Sequence, residues 1–137
     1  MRINNKSLAY ALLRIVVGVN IAGHGLIRIH NGAAAFAQTT AEHLAKSPLP
    51  QSSVYAFSHA IPFIESILGP ILILGLFTRL TLVSDSIFMM VLTVGVTANQ
   101  QWDIASQQLL YSVVFFLLLF LIEHNTLALD TYLFRKR

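Results

Sequence analysis

The 137-residue sequence contains no cysteine. That excludes disulfides, thiolate metal sites and any thiol relay within the chain, and it leaves the compartment open. Charge is scarce as well. Only 11% of residues are charged, where a soluble domain carries about a quarter. With 55% hydrophobic residues and a mean hydropathy of +0.68, there is too little charge to coat a water-soluble globule. The solvent for much of the surface is lipid. No Ser-His-Asp arrangement, phosphate loop or glycine-rich nucleotide motif is present. The net charge of +3 does not point to nucleic acid either, because the bases sit at the ends of apolar runs instead of in a stripe interleaved with aromatics.

What the sequence does contain is four apolar runs, and a helix needs ~20 mainly apolar residues to cross the hydrocarbon core. The runs Leu8–Ile29, Val54–Phe77, Leu80–Ala98 and Ile104–Ile122 are each long enough. They predict an all-α, integral membrane four-helix bundle forming a single domain over 1–137. Spans two and three should form a tight antiparallel hairpin joined at Thr78 and Arg79. Trp102, Tyr111 and Tyr132 are placed near membrane surfaces, where amphipathic rings are favoured. In the 30–53 loop, Phe36, Thr40 and Leu44 share one face of a helix over Ala33–Lys46 that Pro48 and Pro50 terminate. That helix is either an interfacial lid or a solvated connector.

The bases set the expected orientation. With the N-terminus inside, Arg2, Lys6, Arg79, Arg135, Lys136 and Arg137 are cytoplasmic, against Arg28 and Lys46 outside. By the positive-inside rule both termini are cytoplasmic. Arg2 and Lys6 before an apolar run also resemble a secretory signal, but Arg14 interrupts that run, so an uncleaved first span is expected.

Ionisable residues within spans normally face the bundle interior and find a partner. Counting ~1.5 Å per residue from the cytoplasmic ends, Arg14 lies ~10 Å deep on span one and Asp85 ~9 Å deep on span three. They are expected to form a structural ion pair, with Glu65 and then Asp130 as the alternatives for Arg14. Glu65 lies ~18 Å deep, near the midplane, between turns weakened by Pro62 and Pro70. With no base expected beside it, it is either a proton-handling group or a neutral hydrogen-bonding acid. His24 and His59, at ~25 and ~27 Å, are expected at matched depth; a bis-imidazole haem is the weaker reading of that pair, hydrogen bonding the stronger. No metal site is indicated. Asn20, His24, Arg28 and Arg14, with Gly18, Ile21 and Gly25 beside them, mark the face of span one expected to meet the other helices. Span four, with Phe115 to Phe120, is expected to be the most lipid-exposed.

Leu13-Arg14, His24-Gly25-Leu26 with Arg28, and Glu65 followed by Gly69 and Leu74-Gly75-Leu76-Phe77-Thr78-Arg79 resemble the DoxX family. The likeness extends to Leu129-Asp130, where the family's Ser-Leu-Asp reads Ala128-Leu129-Asp130. The resemblance implies a small multi-pass protein of the bacterial inner membrane, related to a subunit of a thiosulfate:quinone oxidoreductase. Together with His24, His59 and Glu65 as candidate ligand-binding or proton-handling groups, it points to a quinone- or lipid-binding membrane subunit of a redox system. Quinone is the candidate cofactor, and the lipid bilayer, a redox partner protein and a second copy of the chain are the candidate partners. The alternatives are a small proton-coupled transporter working as a homodimer, with Glu65 as its carboxylate, and a membrane scaffold without ligand.

Overall fold

The computed structural model describes residues 4–134. Its long helices are α1 (Asn5–His30), α3 (Gln51–Leu74), α4 (Thr78–Ala98) and α5 (Trp102–Phe120), each long and apolar enough to cross a membrane. A shorter α2 (Ala33–His43) links α1 to α3. A 3-10 turn at Ile122–His124 and a five-residue α6 (Leu129–Leu133) follow α5. Tyr10, Val17 and Ile21 of α1 meet Leu72, Leu82, Met89, Phe115 and Leu118 from the other three long helices in the shared core. Arg2, Arg135, Lys136 and Arg137, on which the orientation count leans, lie outside the described residues.

The tightest helix pair is α1 against α3. Its cause is a run of small residues that lets two backbones approach without side chains between them. A Cβ added at Gly18 would lie 2.9 Å from the carbonyl of Gly69 and the amide of Ile73, and one at Gly25 would lie 2.6 Å from Pro62 O and Ser66 N. Gly69 in turn abuts the backbone of Ala22. These contacts fix the register: Gly25 is level with 62–66 and Gly18 with 69–73. α1 is therefore displaced along its axis relative to the α3–α4 hairpin, so its first turns pass beyond the hairpin turn and its last residue stops short of the far ends of α3 and α4.

The packing of these glycines on α3 also corrects the expected face of α1. Arg14, Gly18, Ile21 and Gly25 are buried, joined by Val17 and Ala22, but Asn20 and His24 are exposed. The glycines have to touch α3, and the polar side chains are turned to its flank.

α3 ends earlier than the apolar run suggests. Gly75 takes the left-handed conformation at φ 65 and closes the helix, so the turn is Gly75–Phe77, and Thr78 and Arg79 already belong to α4. Pro62 and Pro70 lie inside α3, which nevertheless continues as one helix. α5 is the least enclosed span, 17% of its apolar window being buried within the protein against 44% for α1. Tyr111, expected near a surface, instead sits in mid-α5 and donates its hydroxyl to Asn20 Oδ1 at 2.9 Å.

Candidate functional site

At the end of the bundle bearing the termini, the sequence builds a clamp around the α3–α4 turn. The last carbonyls of a helix have no partner within it. Arg14 Nη1 donates to Leu72 O at 2.6 Å and Ile73 O at 2.8 Å, and its Nη2 donates to Leu127 O at 2.8 Å. A cation at a helix C-terminus also opposes the helix dipole. The complementary end is handled by Asp130, whose carboxylate accepts from Phe77 N at 2.6 Å and Thr78 N at 2.7 Å, the amides of the N-cap and the first residue of α4. Asn125 Nδ2 donates to Thr78 Oγ1 at 2.9 Å and holds the returning segment in place.

The expected Arg14–Asp85 ion pair is not formed. Arg14, 1% exposed, directs both terminal nitrogens at carbonyls, and its Nε has no partner. Asp85, seven residues into α4, stands ~10 Å farther along the bundle, and its Oδ2 is enclosed without a hydrogen-bond partner. The axial displacement of α1 is the reason: equal depth along each span does not mean equal height when one helix has slid.

The same displacement gives Glu65 a partner that depth counting did not assign. Arg28 Nη1 lies 2.6 Å from both Oε1 and Oε2 of Glu65. Phe36 of α2 covers the guanidinium, with its ring centroid 4.6 Å from the Arg28 Cζ. Glu65 is thus a paired carboxylate, closed in by the α1–α3 crossing and by α2. Arg28 was the missed site residue. It was already on the polar stripe of span one, and the glycine spacing that slides α1 was the readable signal.

His24, one turn before Arg28, is exposed, with its Nδ1 3.0 Å from Asn20 O. It lies on a groove along the surface of α1. His59 is elsewhere. It sits between Tyr55 and Phe63, whose ring centroids are 6.2 and 5.8 Å away. The α1–α3 register places His24 near Ser66, about 10 Å along the axis from His59, so the two imidazoles do not meet. Among the described residues, no group of three or more His, Asp or Glu side chains could hold a metal ion.

A cavity of about 240 Å³ opens on the other side of α3, between α3, α4 and α5 and beneath Thr40 and Leu44. Its walls are mainly apolar, including Val54, Phe57 and Ile61, with Thr40, Ser53, Ser58 and Gln108 as its polar residues. Ser58 is 3% exposed. Pro62 has no N–H to donate to the Ser58 carbonyl, so that acceptor lacks its usual helical partner. Gln108 Oε1 is enclosed and has no hydrogen-bond partner. Glu65 lies one helical turn beyond Ile61 and does not line this cavity. α2 starts at Ala33 as the expected loop helix does but ends at His43, three residues short of Lys46; it packs on α3 as a cover, tied to α4 by Asn99 Nδ2 donating to His43 O at 2.9 Å.

A family model described as DoxX matches residues 9–98. No curated protein and no solved structure matches the chain.

Proposed function

The chain belongs to the DoxX family, and from that membership we propose that this multi-pass membrane protein is the ligand-binding subunit of a redox system, with a quinone as its ligand. The observation that carries the reading is the cavity beneath α2, where an enclosed amide oxygen of Gln108 lacks a partner. Buried polar groups are normally hydrogen-bonded, and a mainly apolar chamber with a few convergent polar groups is the usual make-up of a small-molecule site. Its volume of about 240 Å³ exceeds the ~150 Å³ that suffices for a benzene ring.

A quinone fits these residues. Ser58 and Gln108 each offer a donor and an acceptor, matching carbonyl oxygens in the oxidised ring and hydroxyls in the reduced one. When bound, the quinone supplies two-electron, two-proton chemistry. The chain orients the ring through Ser58 and Gln108, and α2 and Leu44 shield the chamber from water. Headgroup recognition thereby moves from His24, His59 and Glu65 to the far side of α3. His24 remains the proton-handling candidate at the membrane-facing groove, and the Glu65–Arg28 pair braces the chamber wall. A redox partner protein delivers the electrons, and the membrane in this reading is a bacterial inner membrane with both termini cytoplasmic. The feature that pointed to proton-coupled transport was a mid-membrane carboxylate flanked by helix breaks; Glu65 is paired with Arg28, and α3 runs through Pro62 and Pro70 as one helix.

Titration of the purified protein with a dimethoxy-methyl-benzoquinone tests the reading by calorimetry. Binding that weakens about tenfold or more in Gln108→Leu, with Ser58→Ala intermediate, is the expected result. Absence of binding, or binding unchanged in both variants, removes it.

A further inference from the structure

On the side of the α3–α4 seam the chamber borders a second space. Helices α3 and α4 leave their shared turn and make far less contact than α1 and α3 do. The gap between them is a groove of about 470 Å³ on the membrane-facing surface. Phe57 and Val91 line both this groove and the chamber, so the two spaces share a wall. The ring of Phe57 meets that of Phe88 at 6.2 Å between centroids and a 49° tilt, at the junction.

From Phe57 to Leu68 the groove follows α3 for eleven residues, ~16 Å. That is about half the ~30 Å hydrocarbon core, the depth of one leaflet. Along that length the groove offers Ile64, Leu68 and Phe88, with Ser84 as its one polar residue. Such a surface suits a hydrocarbon chain and gives a polar head nothing to bind. The polar groups are instead concentrated in the chamber, at Ser58 and Gln108.

We propose that the seam is the track for a hydrocarbon tail attached to the chamber's ligand, so that the natural ligand is a ring carrying a long apolar chain, held head-in beneath α2 with the tail lying between α3 and α4. Phe57 and Phe88 form the threshold between head and tail, and Ser84 sets the width of the track. This rests on the quinone reading above and adds the tail, its route and the residues that select for it.

The test compares two probes, a dimethoxy-methyl-benzoquinone bearing a decyl chain and the same ring without it, by titration calorimetry of the full chain in detergent. The wild-type protein should bind the decyl compound about tenfold more tightly. Ser84→Phe fills the track and should bring the two affinities together while leaving that of the tail-less ring unchanged. Leu68→Phe, from the opposite wall, should do the same and guards against a folding fault in either variant alone. Equal affinities in the wild type, or a preference for the decyl compound that survives both variants, overturns the track while leaving the chamber standing. Failure of both probes to bind the wild type overturns the quinone reading, and the track with it.

Discussion

A guanidinium within a membrane bundle is tolerable where acceptors surround it, and Arg14 directs both of its terminal nitrogens at carbonyls, leaving only Nε without a partner. Charge-assisted bonds of this kind contribute about 1.5–3 kcal/mol each. Arg14→Met should therefore lower the free energy of unfolding by about 3 kcal/mol or more, measured by denaturation in mixed micelles. Asp85 should behave in the opposite way. Its Oδ2 is enclosed with no partner, and an unsatisfied buried polar group costs about 1–3 kcal/mol. Asp85→Leu should leave stability unchanged or raise it, whereas a salt bridge to Arg14 would make the same change damaging. Arg28 and Glu65 are the pair for which single and double changes differ. Arg28→Met alone strands a buried carboxylate and should cost about 3–5 kcal/mol, and adding Glu65→Met should recover most of that loss.

At the scale of elements, the α1–α3 crossing depends on particular glycines. Gly25 has no room for a methyl group, since Pro62 O and Ser66 N would lie 2.6 Å from its Cβ. Gly25→Ala should cost about 1–3 kcal/mol by overpacking. Gly23, two residues earlier on the same helix, has nothing within 4 Å of the equivalent position. Gly23→Ala should be neutral or stabilising by up to about 1 kcal/mol, the ordinary difference between glycine and alanine in a helix. Thermal unfolding of the two variants side by side separates a packing requirement from a general dislike of glycine in helices. The crossing also carries functional consequence, because the slide it imposes is what brings Arg28 to Glu65 and Arg14 to the end of α3.

For the whole molecule, Arg14 and Asp130 at one end and α2 at the other hold the hairpin of α3 and α4 from both sides. The end that carries the chain termini is expected to face the cytoplasm by its excess of bases. A fluorescent protein fused after Arg137 should be bright in cells, and alkaline phosphatase fused at the same point should be inactive. The reverse pattern would invert the topology and place the α2 cover, with its cavity, on the cytoplasmic side.

The number of spans, their approximate limits, the loop helix from Ala33 and the exposure of α5 could all be read from the sequence. Apolar run length is a one-dimensional quantity, and the hydrocarbon thickness converts it directly into membrane crossings. The family likeness was also legible, in short motifs whose order along the chain survives without knowledge of their contacts. The charge partners were not legible. Depth along each helix was countable, but the relative slide of α1 depends on how Gly18 and Ala22 interlock with Gly69 and Gly25 with Pro62 and Ser66, contacts between residues about forty to fifty positions apart. A displacement of a few residues was enough to exchange Asp85 for the carbonyls of Leu72 and Ile73 and to give Glu65 to Arg28. Azimuth was likewise decided by packing, which turned His24 outward and His59 away from it. The cavity beside Ser58 and Gln108 exists only where four separate segments fail to fill the space between them, and no local pattern in the chain encodes a void.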